Sequence, residues 1–457
     1  MTDQTSIDIP DTIDDATDAP SAAAGTVDRR RFMAGAGVAA GSLAATAYLG
    51  PSLFGGTAGA TGLGDLAELR SRVKPTKVTK PTGPTNNILV VLYLRGGFDG
   101  LSALVPISDS AYYAARPTVA VPAASALPIN ADWGLHPAFT QIKALHTAGR
   151  AAFVPAVGAP FVDRSHFNAQ ALTEIGIGSA TSFSSGWLAR YLTATAGTNE
   201  SALRAFGAGA CTPDSLAGSF APSASGLASL GLQTGTGANS NNEDAVSLTR
   251  MLNRMYRSSS NSLLKAQALS AIDALNTVGS TLTTAVPPRN LSTGLGADLF
   301  PIAKLINSGF PLEVATADLA NFDFHAAMGS ATNTKGAQYA LFAQLDAAIG
   351  AFFAYLGTNA SRVTLVTMSE FGRRVAENSS GGTDHGHATT MMVFGGGVSA
   401  GVKGSWPGLT ERIDGDVIIA NDYRTVLAEI IGKRMRSVSL STVFPGFTYP
   451  GPLGVLV

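Results

Sequence analysis

The chain has little cysteine, little charge and few histidines, and each scarcity removes a class of function. One cysteine, Cys211, in 457 residues excludes an intrachain disulfide and a cysteine-based zinc site. Charged residues make up 14% of the chain and the formal net charge is −1, so the basic surface typical of nucleic-acid binding is absent. Because there are only six histidines, those that occur close together carry much of the information about function.

What the chain does have is apolar residues and glycine. Apolar residues make up 45% of the sequence, and there are 51 glycines. This composition is typical of a globular protein with many tight turns, and the length suffices for one large core or two smaller ones.

The first 60 residues have the pattern of an export signal. A polar, acidic stretch leads to Asp28-Arg-Arg-Arg-Phe-Met33, and an uncharged Ala/Gly-rich run follows from Ala34 to Ala60. Paired arginines before Phe32 resemble the twin-arginine signal, which predicts export to the periplasm, cell wall or outside. The alternative is an anchor that stays in the membrane. No other run approaches the ~20 apolar residues of a spanning helix, so no span is expected once the signal is removed.

Residues 61–86 are expected to be a linker and residues 87–457 a single domain. Apolar runs predict strands at 87–94, 151–157, 312–317, 362–368 and 389–394. Helices are expected at about 137–149, 166–176, 244–282, 335–356 and 422–434. This alternation predicts an α/β fold, with a doubly wound, mostly parallel sheet and helices on both faces. The Gly/Ser-rich stretch 205–243 is interpreted as a surface insertion.

Two clusters of acidic residues and histidines suggest a metal site. In Asn321-Phe-Asp-Phe-His325, Asp323 and His325 share one face if the segment is extended. Glu370 ends a strand-like run, and Gly382-Thr-Asp-His-Gly-His387 then supplies Asp384, His385 and His387. Carboxylate and imidazole ligands suit zinc or manganese. In parallel sheets, bound molecules and ions lie beyond the carboxyl ends of the strands. The candidate residues are expected at those ends.

Two further segments carry candidate residues, each with a plain structural alternative. Asp99 follows the first strand and is either a ligand-facing carboxylate or the cap of the next helix. Ser165 opens a helix and is either a nucleophile in the helix field or an ordinary N-cap, and its neighbours Arg164 and His166 are further candidate catalytic residues. Arg95, Arg164, Arg373 and Arg374 are candidates for holding an oxyanion.

Several motifs together resemble a family of exported bacterial proteins, domain of unknown function 1501. They are Leu94-Arg-Gly-Gly-Phe-Asp-Gly100, Arg164-Ser-His-Phe167, Phe322-Asp-Phe-His325, Ser369-Glu-Phe-Gly-Arg373, Gly382-Thr-Asp-His-Gly386, Asp422-Tyr-Arg-Thr-Val and Phe444-Pro-Gly-Phe447. The resemblance runs from about residue 87 to the C-terminus.

That family is grouped with the alkaline phosphatase and sulfatase superfamily, so the resemblance implies an alkaline-phosphatase-like fold and two divalent ions. Zinc or manganese is expected, with calcium or magnesium as alternatives. Ser165 then resembles the nucleophile, while Asp99, Asp323, His325, Glu370, Asp384 and His385 or His387 resemble the metal ligands. Glu370-Phe371 departs from the usual Asp-His pair, and Cys211-Thr-Pro-Asp-Ser215 lacks the arginine of a sulfatase motif.

The leading hypothesis from the sequence is therefore a secreted metal-dependent hydrolase of phosphate or sulfate esters. Its expected partners are a small or polymeric ester and the twin-arginine export machinery. The alternative is a secreted binding or assembly protein that keeps the fold and one structural metal. A cofactor-containing redox protein is the weakest hypothesis, because no Rossmann fingerprint or cysteine cluster is present.

Overall fold

A computed structural model shows how a large β-sheet carries the segments singled out above. It describes residues 87–161, 163–178, 185–196, 201, 203–209, 211–225, 242–262, 264–265, 268–269, 272, 278 and 286–457. The predicted signal (1–60) and linker (61–86) lie outside the described residues.

Strands and helices alternate along most of the chain. The strands are β1 (Ile88–Leu94), β2 (Leu104–Pro106), β3 (Leu127–Pro128), β4 (Trp133–Leu135), β5 (Ala151–Gly158), β6 (Ala205–Ala208), β7 (Ser223–Ala224), β8 (Val314–Leu319), β9 (Val363–Met368), β10 (Thr389–Gly395), β11 (Gly401–Val402) and β12 (Asn421–Asp422). The helices are α1 (Gly100–Ala103), α2 (Ser110–Ala115), α3 (Thr140–Thr147), α4 (His166–Ile175), α5 (Trp187–Ala194), α6 (Asn242–Arg257), α7 (Leu295–Asn307), α8 (Ala337–Leu356), α9 (Tyr423–Arg434) and α10 (Leu440–Val443).

The large sheet has the strand order β11-β5-β10-β9-β1-β8-β6-β7, and β12 also pairs with β5. Most pairs are parallel, but β10 runs antiparallel to both β5 and β9. The expected mixed α/β architecture with a mostly parallel sheet is therefore confirmed. A small antiparallel sheet, β2-β4-β3, lies apart from it.

Apolar cores cover both faces of the sheet. All seven residues of β1 are buried; Ile88, Val90, Leu92 and Leu94 face one core, and the residues between them face the other. Helices α3, α7 and α8 pack in the first core, and α5 and α9 in the second. Burial on both faces explains why this strand reads as a continuous apolar run.

Residues 205–243 differ from the interpretation as a surface insertion. Strands β6 and β7, in the first half of this stretch, belong to the large sheet, with β6 paired in parallel to β8. The segment Ala205-Phe-Gly-Ala208 is short and rich in small residues, so the strand is hard to distinguish from a loop in the sequence. Residues 226–241 lie outside the described residues.

One helix among the described residues, Ala337–Ser361, is long and apolar enough to cross a membrane by length and composition alone. Its side chains Phe342, Leu345, Ile349 and Phe352 are fully buried in the first core. These contacts are those of a core helix.

Candidate metal centre

The segments that carry the site leave the sheet at one edge. Because β5, β8 and β9 run in the same direction, their carboxyl ends lie together. Helix α4 with His166 follows β5, Asp323 and His325 follow β8, and Glu370 follows β9. Since β10 is antiparallel, its first residue lies at this edge too, and the segment before it delivers His385.

A close approach between backbones places Asp323. Gly96, in the turn after β1, has φ of +114°, and a Cβ there would lie 2.7 Å from the backbone nitrogen of Asp323. The carbonyl of Arg95 accepts a hydrogen bond from the nitrogen of Phe322 at 3.1 Å. Only glycine permits both this conformation and this proximity.

Four side chains converge above the sheet edge. Nε2 of His385 lies 3.0 Å from Nε2 of His166, 2.9 Å from Nε2 of His325 and 3.1 Å from Oδ1 of Asp323. Nε2 of His325 is also 3.1 Å from this Oδ1, and Nε2 of His166 is 3.4 Å from Oδ2. One ligand atom each from His166, Asp323 and His385 lies within 4.8 Å of the other two.

The other ring nitrogen, Nδ1, faces an oxygen in all three imidazoles. The contacts are His385 with the carbonyl of Arg164 at 2.8 Å, His166 with Oε1 of Glu370 at 2.7 Å, and His325 with Oδ1 of Asp384 at 3.1 Å. A carbonyl and an ionised carboxylate only accept hydrogen bonds, so each Nδ1 donates. In a neutral ring, Nε2 then carries the lone pair.

This arrangement fits a metal ion. With all three rings neutral, three imidazole lone pairs and one carboxylate point at one another from about 3 Å, and either a bound cation or a proton on one ring relieves the repulsion. Ligand atoms 2.0–2.1 Å from a tetrahedral zinc ion would be about 3.3 Å apart, close to the observed spacing. Oxygen partners on the far ring nitrogens are the usual support of metal-binding histidines.

Charges around the cluster keep its carboxylates ionised. Burial opposes ionisation of Asp323, but the hydrogen bond and charge of Arg373, together with His385 and His325, more than offset it and the pKa falls to about 2. The hydrogen bond to Glu370 raises the pKa of His166, whereas burial lowers the pKa of His385. Burial also opposes ionisation of Glu370, but the hydrogen bond from His166 helps to lower its pKa.

Glu370 and Asp384, expected as ligands, lie behind the imidazoles. The buried Oε1 of Glu370 accepts from His166, from the backbone of Gly96 at 2.8 Å and from Gln170 at 2.9 Å. Oδ1 of Asp384 accepts from His325 and from Asn378 at 2.9 Å. Both carboxylates therefore orient a histidine in this structure.

Asp99 and His387, the other two expected ligands, have different surroundings. Asp99 is buried against Arg116, which donates to its two oxygens at 2.7 and 3.0 Å, and it also accepts from Ser102 at 2.6 Å. The carboxylate expected to face a metal is therefore paired with a fully buried arginine. His387 is buried, and its Nδ1 lies 3.7 Å from Asp416. Neither Asp99 nor His387 belongs to the cluster.

The expected catalytic residues are split by the structure. His166 belongs to the cluster. Ser165 occupies the N-cap position of α4, is exposed and makes no capping hydrogen bond with its side chain. Arg164 contributes its carbonyl to His385, but its guanidinium pairs with Asp414 and Asp416.

The other candidate oxyanion arginines also face protein groups, although Arg374 is partly exposed and approaches Asp414 only to 3.9 Å. Arg373 donates to the carbonyls of Gly97 and Thr383 and to Asp323. Arg95 pairs with Asp318 and Glu174.

Sequence reasoning missed two supporting residues. Gln170 lies one helical turn after His166, so the i, i+4 spacing on α4 could have indicated a shared partner. Asn378 donates to Asp384 and to the carbonyl of His325. It lies in a polar turn whose sequence gives no hint of that contact.

Comparisons with known proteins add a family but no activity. No curated protein matches the chain. Residues 301–431, which include Asp323, His325, Glu370 and His385, match the model of a family described as a protein of unknown function, DUF1501, and this supports the family resemblance found in the motifs.

Proposed function

We propose that the protein is a metal-dependent hydrolase of phosphate or sulfate esters, with the metal held by His166, Asp323 and His385. The observation that carries the proposal is the convergence of these three ligand atoms within 4.8 Å, with an oxygen partner on the far nitrogen of each imidazole. A bound divalent ion would supply Lewis acidity at a phosphoryl or sulfuryl oxygen. The resemblance to the alkaline phosphatase superfamily favours this substrate class.

Ser165 is the proposed nucleophile. Its neighbours on both sides belong to the site, because the carbonyl of Arg164 orients His385 and the ring of His166 faces the cluster. The hydroxyl is exposed at the start of α4, where the first backbone N–H groups of a helix have no partner within the helix. Those N–H groups favour a negatively charged oxygen.

One ion is proposed here, although the resemblance implies two. Among the described residues, one group of three possible ligands has its ligand atoms close enough together to bind one ion. His325, whose Nε2 lies 2.9 Å from that of His385, is the next available donor. Zinc or manganese is expected, and calcium or magnesium is less suited to imidazole. Two histidines with one carboxylate also bind mononuclear iron, so iron belongs in any metal analysis.

The experiment combines metal analysis with one substitution. Protein purified without chelators is expected to contain one transition metal per chain, and Ser165→Ala is expected to abolish hydrolysis of aryl phosphates and sulfates with metal content unchanged. Ser439→Ala is the matched control, because Ser439 also occupies an N-cap position, that of α10. Full turnover by Ser165→Ala would show that Ser165 is an N-cap residue and not the nucleophile.

The alternative, a binding or assembly protein with a structural metal, is favoured by one observation. Arg95, Arg164 and Arg373, expected to hold an oxyanion, all face carboxylates or carbonyls of the protein itself. Wild-type protein that contains one metal but hydrolyses no ester in the panel would support this alternative.

Export by the twin-arginine route is the proposed path to the periplasm, cell wall or exterior, where the ester substrate would be met. It rests on Arg29, Arg30 and Phe32 followed by the uncharged run. Changing both arginines to lysine is expected to retain the protein in the cytoplasm on fractionation. Normal export of that variant would exclude this route.

A further inference from the structure

The side chain of Arg164 is held by a turn far away in the sequence. Nη2 of Arg164 lies 2.6 Å from Oδ2 of Asp416 and 2.8 Å from Oδ2 of Asp414. Asp416 is fully buried, whereas Asp414 is exposed. A guanidinium bound to two carboxylates is a strong, directional anchor.

The turn that supplies these carboxylates is itself well defined. Ile413 and Asp416 exchange backbone hydrogen bonds at 3.2 and 2.9 Å around the pair Asp414-Gly415. Asp414 and Gly415 have φ of +55° and +81°, as in the tight turns that Asp-Gly favours. The two carboxylates are therefore presented from a short hairpin that has little freedom to shift.

The same residue that this turn holds also orients a proposed metal ligand. The carbonyl of Arg164 accepts the hydrogen bond from Nδ1 of His385 at 2.8 Å. We propose that Asp416, assisted by Asp414, is a positioning residue that fixes Arg164 so that its carbonyl sets the tautomer and direction of His385. This inference rests on the metal centre of the proposed function.

Stability alone does not explain the pair. Asp416 is removed from water, yet its Oδ1 makes no hydrogen bond within the described part of the chain. Nε of Arg164 is also buried without a partner there. Burying charges costs several kcal/mol per ion in general, and incomplete hydrogen bonding offsets that cost poorly. Fixing the position of the Arg164 carbonyl gives this ion pair a role other than stability.

The test compares three substitutions of similar size in the full-length protein. Asp416→Asn and Asp414→Asn weaken the anchor at its buried and exposed ends. Asp422→Asn is the matched control, since Asp422 pairs with Arg424 at 2.6 Å and does not contact the cluster. The zinc dissociation constant is measured by competition with a chromophoric chelator, and the absorption spectrum is recorded with cobalt in place of zinc. The melting temperature of the metal-free protein is measured in parallel.

Asp416→Asn is expected to weaken zinc binding about 10- to 100-fold, the usual range for a residue that supports a ligand. It should also alter the cobalt spectrum, while Asp414→Asn has a smaller effect. Asp422→Asn should leave both readouts at wild-type values. Equal zinc affinity in Asp416→Asn and wild type would overturn the inference, as would wild-type protein that binds no transition metal. The zinc measurements use no substrate, so they test the inference separately from the hydrolase. A wild-type protein that hydrolyses no ester, combined with weaker zinc binding by Asp416→Asn, would refute the proposed hydrolase and support the inference.

Discussion

The six histidines differ in what Nδ1 does, and this decides what each ring offers to its surroundings. In His166, His325 and His385, Nδ1 donates to an oxygen, so Nε2 of each neutral ring is an acceptor that faces the cluster. In His136, Nδ1 accepts from the backbone nitrogen of Ala138 at 3.2 Å, so Nε2 carries the proton. That ring lies among aromatic side chains and is fully buried.

Burial makes His136 a source of pH-dependent stability. Burial lowers its pKa from 6.5 to about 4. Between these values the unfolded chain binds a proton that the folded chain does not, so stability falls as the pH is lowered from about 6.5 to about 4. The full loss is about 3 kcal/mol.

His136→Asn, which keeps an acceptor for Ala138, should lose this part of the pH dependence in denaturant titrations at pH 7 and pH 4.5. His146→Gln is the comparison: burial lowers the pKa of His146 as well, but that ring is only partly buried, so the variant should lose a smaller part of the pH dependence. Identical pH profiles in wild type and His136→Asn would show that His136 ionises in the folded protein.

Asp99 offers a second test with a single side chain. Its partner Arg116 is fully buried and also donates to the carbonyls of Val375 and Arg374. Asp99→Ala would leave that charge unpaired, so a loss of about 3–5 kcal/mol in unfolding free energy is expected, with metal content unchanged.

Asp109→Ala is the comparison, since Asp109 only caps α2 through Ala111 and should cost about 1 kcal/mol. Loss of metal from Asp99→Ala without loss of stability would restore Asp99 as a ligand.

The segment between β9 and β10 depends on glycine for its fit against the segment after β8. A Cβ on Gly382 would lie 2.4 Å from the carbonyl carbon of His325 and 2.5 Å from the oxygen of Phe324. The next residue, Thr383, donates to that oxygen at 2.9 Å. The two segments that carry His325 and His385 are therefore in backbone contact.

Gly382→Ala is expected to push these segments apart, with a stability loss of about 1–3 kcal/mol and at least about tenfold weaker zinc binding. Gly432→Ala is the matched control, because Gly432 lies in α9 with no atom within 4 Å of the added carbon. It should gain about 0.5–1 kcal/mol and bind zinc normally. Normal zinc binding by Gly382→Ala would show that the contact does not position the histidines.

Strands and helices buried on both sides could be predicted closely, while their pairing could not. The run that became β1 and the helix that became α9, with Asp422 accepting from Arg424 at its start, match the sequence pattern. The antiparallel direction of β10 leaves no trace in its apolar run, because burial on both faces looks the same in either direction. Strand β6 cannot be recognised in the sequence, because its Ala and Gly residues are as common in loops as in strands.

For the site, the sequence indicated the residues better than their positions. The structure brings Asp323, His325 and His385 together, and His166 joins them from the helix that follows Ser165. Whether a carboxylate points into the centre of the cluster or at a histidine from behind depends on side-chain direction, which residue spacing does not specify.

The stability of the whole protein should depend on the proposed metal ion, because the proposed ligands come from segments that only folding brings together. His166, Asp323 and His385 follow or precede three different strands, so the unfolded chain has no comparable site. An ion that binds only the folded protein stabilises it by about 2.7 kcal/mol at one hundred times the dissociation constant. Chelator should therefore lower the melting temperature, and added zinc should restore it in a concentration-dependent way. His385→Ala should melt at one temperature with or without chelator. A wild-type protein whose melting temperature ignores both chelator and zinc would show that the cluster holds no metal in the folded state.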